Sequence, residues 1–175
     1  MSCCGAQTYG AALPGLLPGT AATFAISELD GSATKKIRLL KVVVSGSELT
    51  AIAVNDLRLT KLSAISTGGT ATTATNTPFD AANAAATAVV KGFTVAPTGG
   101  GTVVGAIAVQ KLSLLLIATN LGSAVEFNFS LLPLSSRPTI TTAAQAFAID
   151  FNGATPANAP NLDVYWWWTE QPLAA

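Results

Sequence analysis

Turn residues cut this chain into short apolar segments, and the best of those segments alternate with the two-residue period of a β-strand. In "ELTAIAVNDLRLTKLSAI", residues 48–65, Leu49, Ala51, Ala53 and Asn55 share one face. Ile52, Val54, Asp56, Arg58 and Thr60 share the other. The apolar register passes to Leu57 and Leu59 near "VND", which predicts a bulge or a turn there. "KKIRLLKVVVSG" alternates at its start and ends in the β-branched run Val42 to Val44 before Gly46. "TAATFAI", "FTV", "TVVGAIAVQKLSLLLIAT", "AVEFNFSLL" and "AAQAFAIDF" read as further strands. "APTGGG", "NLGS", "LSSRP" and "NGATPANAPN" separate them as turns or loops. About eight short strands spaced this way predict an all-β, antiparallel β-sandwich, jelly-roll-like in form, with at most one short helix.

Residues 66–80, "STGGTATTATNTPFD", are expected to be a long Thr-rich loop. "DAANAAATAVVKG" after it is the one helical candidate, with Asp80 as its cap and alanines favouring the helix. The first 19 residues, "MSCCGAQTYGAALPGLLPG", carry two Pro-Gly turns and no period, and are expected to form an extended N-terminal arm. A single sandwich domain would then span residues 20–175. The arm has no basic n-region, and Pro14 and Pro18 break its apolar stretch, so it makes a poor signal peptide. Its adjacent Cys3 and Cys4 are expected to be free thiols, in keeping with a reducing cytoplasm.

Half of the residues are apolar and 10% are charged, against roughly 25% in ordinary globular chains. A surface with so few charges is suited to meet protein rather than water. No apolar run approaches the ~20 residues of a membrane-crossing helix. Nine basic and nine acidic residues leave no net field to draw the chain to nucleic acid or an anionic membrane.

Histidine is absent, which removes the commonest general base and the His-dependent nucleophile and zinc sites. None of the carboxylates falls into a calcium-loop spacing. Asp150 and Asp163 lie on separate strands, and nothing beyond their existence supports a glycosidase-like pair. "TGGGTVVG", residues 98–105, fits neither GxGxxG nor a phosphate loop and is best read as a β-turn. Lys35, Lys36, Arg38 and Lys41 make one basic cluster, read as a solvated strand edge that discourages unwanted pairing. No cofactor motif and no sign of an enzyme emerges.

The closing segment "DVYWWWTEQP", residues 163–172, holds all three tryptophans side by side. In a strand, Tyr165 and Trp167 take one face, and Val164, Trp166 and Trp168 the other. Both faces are apolar. One is expected to fill the core, and the other to be buried against another subunit or under the chain's own arm.

Three segments in order carry a resemblance. The strand pair, the Arg58 strand, the "TGGT" loop and the "PFDAANAA" turn come first, then "SSRPTI" with Arg137, then the aromatic strand ending "WTEQP". This order resembles small jelly-roll structural proteins from the virions of tailed bacteriophages, of the minor capsid or decoration type. The resemblance spans roughly residues 35–172, rests on turns and strand ends, and brings no catalytic residues. It implies a homotrimer on the capsid surface, made in the host bacterial cytoplasm, with the major capsid protein or another virion protein as partner.

On that reading the interface residues are Tyr165, Trp166, Trp167 and Trp168, with Leu13, Leu16 and Leu17 of the arm and Arg58 and Arg137. Two alternatives stand beside it. One is a carbohydrate- or receptor-binding module of a head or tail fibre, with Tyr165 and Trp167 stacking on sugar rings. The other is a tail-completion or connector protein, which would form a ring of higher order.

Overall fold

The computed structural model describes residues 5–18, 24–116, 123–156, 158 and 160–173. Among them are twelve strands and no α-helix. They are β1 (Gln7–Leu16), β2 (Ser27–Asp30), β3 (Lys35–Glu48), β4 (Ala53–Leu62), β5 (Thr70–Thr73) and β6 (Asn76–Pro78). After them come β7 (Val89–Val95), β8 (Val103–Leu114), β9 (Ser123–Asn128), β10 (Thr139–Ile140), β11 (Ala146–Asp150) and β12 (Pro160–Pro172).

Two antiparallel sheets result. Sheet one runs β10-β3-β12-β1-β6, with β9 also paired to β3; sheet two runs β5-β7-β2-β11-β4-β8. Removing the short strands β5, β6 and β10 together with β7 leaves 1-12-3-9 facing 2-11-4-8. Four nested antiparallel ribbons, β1–β12, β2–β11, β3–β9 and β4–β8, fold over into that order. This is the jelly-roll connectivity, two Greek keys in one sandwich, and it bears out the fold read from the strand spacing.

The core follows from alternation. One face of β3 (Ile37, Leu39, Val42, Val44) and one face of β12 (Leu162, Val164, Trp166, Trp168) meet Leu29, Leu57, Leu59, Phe147 and Ile149 of sheet two. Extra residues preserve this phase. Trp167 pairs with Lys41 and Trp168 with Leu39, so Leu40 is a bulge that lets β3 keep both Leu39 and Val42 inside.

Several local expectations are corrected. The supposed arm is largely β1, an interior strand held between β12 and β6, with Tyr9, Ala11, Leu13 and Leu16 in the core. Pro14 and Gly15 do not break it. They sit in a register shift between Leu13 and Leu16, where Gly15 takes φ 65° and donates its N–H to Asp163 Oδ1 at 2.8 Å. Residues 7–16 thus belong to the same sheet as β12, β3 and β6. Of "TAATFAI", residues 20–23 lie outside the described residues, and Phe24 to Ile26 precede β2 without being strand.

The helix expected after Asp80 is a turn leading into β7. Asp80 accepts the Ala82 N–H with its side chain and the Asn83 N–H with its carbonyl, and the coil stops there. Glu170 then claims the amides of Thr87 and Ala88, and Asn76 claims the Ala88 carbonyl. Tertiary partners thus take the backbone groups a helix would need, and alanine propensity is too weak to resist them. The Thr-rich stretch holds β5 and β6. No switch of face occurs at "VND": Leu57 and Leu59 continue the face of Ala53 and Asn55, and all four are buried. The irregularities of β4 come later, against β8.

Candidate functional site

Strand β12 has two different aromatic faces. Inside, Trp166 and Trp168 are fully buried. Trp166 Nε1 donates to Ser27 Oγ at 2.8 Å, and Ser27 Oγ donates onward to the Lys91 carbonyl at 2.9 Å. Trp168 Nε1 donates to Glu170 Oε1 at 3.0 Å, and its ring stacks on Tyr9 with centroids 5.9 Å apart. These two tryptophans are core, not interface.

The other face carries Tyr165 and Trp167, half-buried and stacked with centroids 6.0 Å apart. The Lys41 ammonium lies 5.3 Å from the Trp167 ring centre and pairs with Glu126 at 2.5 Å. That pairing, with Asn128 beside it, holds the Glu126 carboxyl below its usual range. Gly10 and Ala12 of β1 stand opposite Trp167 and Tyr165. With Phe79 and Thr77 they bound a shallow slot of about 190 Å³. A Cβ at Gly10 would come 2.8 Å from the exposed Phe79 ring and would push it out of the slot. Among the described residues, the chain covers this face only in part.

The remaining expected interface residues scatter. Leu13 and Leu16 belong to the core, which removes them as contacts, whereas Leu17 is half exposed just past β1. Arg58 is tied by Nε and Nη2 to Asp150 on the outer face of sheet two. Burial raises the Asp150 carboxyl even so, against the pull of Arg58. Asp163 lies on the outer face of sheet one, so the two aspartates form no pair. Arg137 donates to the carbonyls of Leu132 and Ser130 and so acts as a brace within its own loop.

That brace reveals what the sequence reading missed. The loop after β9 projects Leu131, Leu132 and Leu134, and Leu131 is 95% exposed. Arg137, the Asn128 side chain on Ser130, and backbone bonds from Leu132 to Phe129 and from Ser136 to Pro133 fix its shape. Three leucines within a Ser/Pro-rich segment were the available signal, obscured because "SLL" reads as the end of a strand.

The basic cluster is not a free edge either. Strand β3 is flanked by β12 and, for most of its length, by β10 or β9. Arg38 is hydrogen-bonded to Gln171, and Lys41 is engaged as above.

A second buried constellation lies on the outer face of sheet two. Glu28, Asp30, Asp150 and Thr60 are all buried there; Ser66 of residues 63–69 hydrogen-bonds Glu28, and Ser66, Gly100 and Gly101 line a small cavity with Thr60 and Asp150. "TGGG", expected to be a β-turn, lies instead in the longer loop between β7 and β8, where Gly99 bridges to Thr67, and it belongs to the wall of this cavity. Among the described residues no group of three or more metal-ligating side chains occurs. Cys3 and Cys4 lie outside the described residues. Comparison with protein families, curated proteins and solved structures finds no match to this chain.

Proposed function

We propose that this chain is a bacteriophage virion structural protein, a minor capsid or decoration protein that binds the head surface as a homotrimer. The observation that carries the reading is the braced loop of Leu131, Leu132 and Leu134. Ordering a loop costs conformational entropy, roughly 1–2 kcal/mol per residue. Here hydrogen bonds meet that cost in order to hold apolar side chains out into water. Such a device gains free energy only when another surface covers it. The jelly-roll fold, sparse charge and zero net charge suit a part packed among neighbours. The mechanism is burial of apolar area at repeated symmetric contacts, with no catalysis.

The test is a pair of measurements on the chain carrying Leu131→Ser with Leu134→Ser. Its mass in solution and its occupancy on purified heads should both drop while its melting temperature stays put. Wild-type chain that is monomeric and leaves heads bare would sink the proposal. The slot beside Phe79, Tyr165 and Trp167 favours a second reading, a glycan-binding fibre module. Saccharide binding on a glycan array, abolished by Trp167→Ser, would support it instead.

A further inference from the structure

Residues 63–69 and 96–102 lie together over sheet two as a strap. Ser63 donates to the Thr102 carbonyl, and Thr67 and Gly99 exchange two backbone bonds at 2.9 and 3.1 Å. Beneath them sits a small apolar cluster of Ala25, Leu62, Phe93, Ala146 and Ala148, with Ile65 of the strap packed on it. The strap contains no charged residue. Its polar tie to the sheet is one carboxyl group. Glu28 Oε1 bonds the Ser66 hydroxyl, Oε2 accepts the Ser66 N–H at 3.3 Å, and Ser66 Oγ accepts the Gly101 N–H at 3.3 Å. One acid thereby holds both halves.

That acid is poorly placed to stay ionised. It is fully buried, Asp30 lies on the same face, and Lys91 opposite it is engaged by Asp30 at 2.5 Å. Strand β11 presents Ala148 opposite it, and the nearest charges beyond are the mutually paired Asp150 and Arg58. We propose that the strap is a proton-operated clasp, closed by a proton on Glu28 and opened as that proton leaves to solvent, which uncovers the apolar cluster below. Burial lifts the Glu28 carboxyl to about 7, with Asp30 adding to the rise, while the Ser66 bonds and Lys91 oppose it. In an open, hydrated strap it returns toward its ordinary value. The opening equilibrium then rises about tenfold per pH unit between the two values and levels off above the higher one.

Amide hydrogen exchange at Ser66, Thr67, Gly99 and Gly101, corrected for the intrinsic base-catalysed rate, reads this directly. Corrected protection should fall up to about a hundredfold between roughly pH 5 and 7 and then stay level. In Glu28→Gln the strap should remain protected with no pH slope. In Ser66→Ala, which keeps the acid and cuts the tie, it should be weakly protected throughout. A wild-type slope of zero would overturn the proposal. So would a slope that survives in Glu28→Gln, or a Glu28 carboxyl carbon that titrates in the ordinary range.

Discussion

Replacing adjacent tryptophans of β12 one at a time should have sharply unequal effects. Trp166 is fully buried between the sheets. Trp166→Ala should cost about 3–5 kcal/mol, the range for deleting a large aromatic from a packed core. Nothing further is added for the lost hydrogen bond on the Ser27 side, because Ser27 Oγ still donates to the Lys91 carbonyl. Trp167 is one residue away and loses different things. Its stack on Tyr165 is worth ~0.5–1.5 kcal/mol and its contact with the Lys41 ammonium ~0.5–1 kcal/mol. With the poorer strand propensity of serine, Trp167→Ser should cost about 2 kcal/mol in the isolated chain. A domain of this kind has roughly 5–15 kcal/mol in all, so Trp167→Ser should fold and Trp166→Ala should be marginal. Urea titration of both variants measures the difference, and light scattering behind a sizing column reports their masses. Retained folding with a smaller mass in Trp167→Ser would place that face in a subunit contact. Equal destabilisation by the two substitutions would refute the inside–outside assignment of β12.

Glu170→Ala should destabilise by about 3 kcal/mol or more, since the amides of Thr87 and Ala88 and the Trp168 indole all lose their acceptor; Glu170→Gln should recover part of this in urea titrations. Stability should fall as pH rises, because Glu28, Glu48 and Asp150 are all raised by burial and bind protons more tightly folded than unfolded. The Glu28 share is fully present below 4.5 and lost by about 7, worth up to ~3 kcal/mol, and urea midpoints that climb over that range would contradict it. Gly46→Ala should lower the melting temperature clearly, because its Cβ would lie 2.2 Å from the Asn161 carbonyl oxygen across the β3–β12 ladder.

The strands that were legible in the sequence are those whose burial is one-sided. In β3, β4 and β12 alternate residues face the core, so a period of two survives in the letters. Strand β1 was hidden because Pro14 and Gly15 carry the same signature in a bulge as in a broken arm. The alanine run after Asp80 was misread because its backbone partners, Asn76 and Glu170, are distant in sequence. Parity alone grouped Trp166 with Trp168 and Tyr165 with Trp167, but did not say which pair faces the core. Nor could Leu13, Leu16, Arg58 and Arg137 be placed, since what decides their role is the neighbour each one meets. The Glu28 tie was invisible for the same reason. Ser66 and Gly101 are ordinary loop residues until the strap brings them over one buried acid.

The position of β12 between β3 and β1 has a consequence for biosynthesis. Of the twelve strands it leaves the ribosome last, yet it is the shared partner on which the middle of sheet one depends. Until it emerges, the β12-facing edge of Val42–Val44 in β3, paired to β9 on its other side, and the Leu13 region of β1 have no ladder to join. The nascent chain must carry those apolar edges unpaired, and long-range β pairing is slow to form. Commitment to the native sandwich therefore waits on the final segment. A chain truncated before residue 160 should be a substrate for chaperones rather than a smaller folded domain.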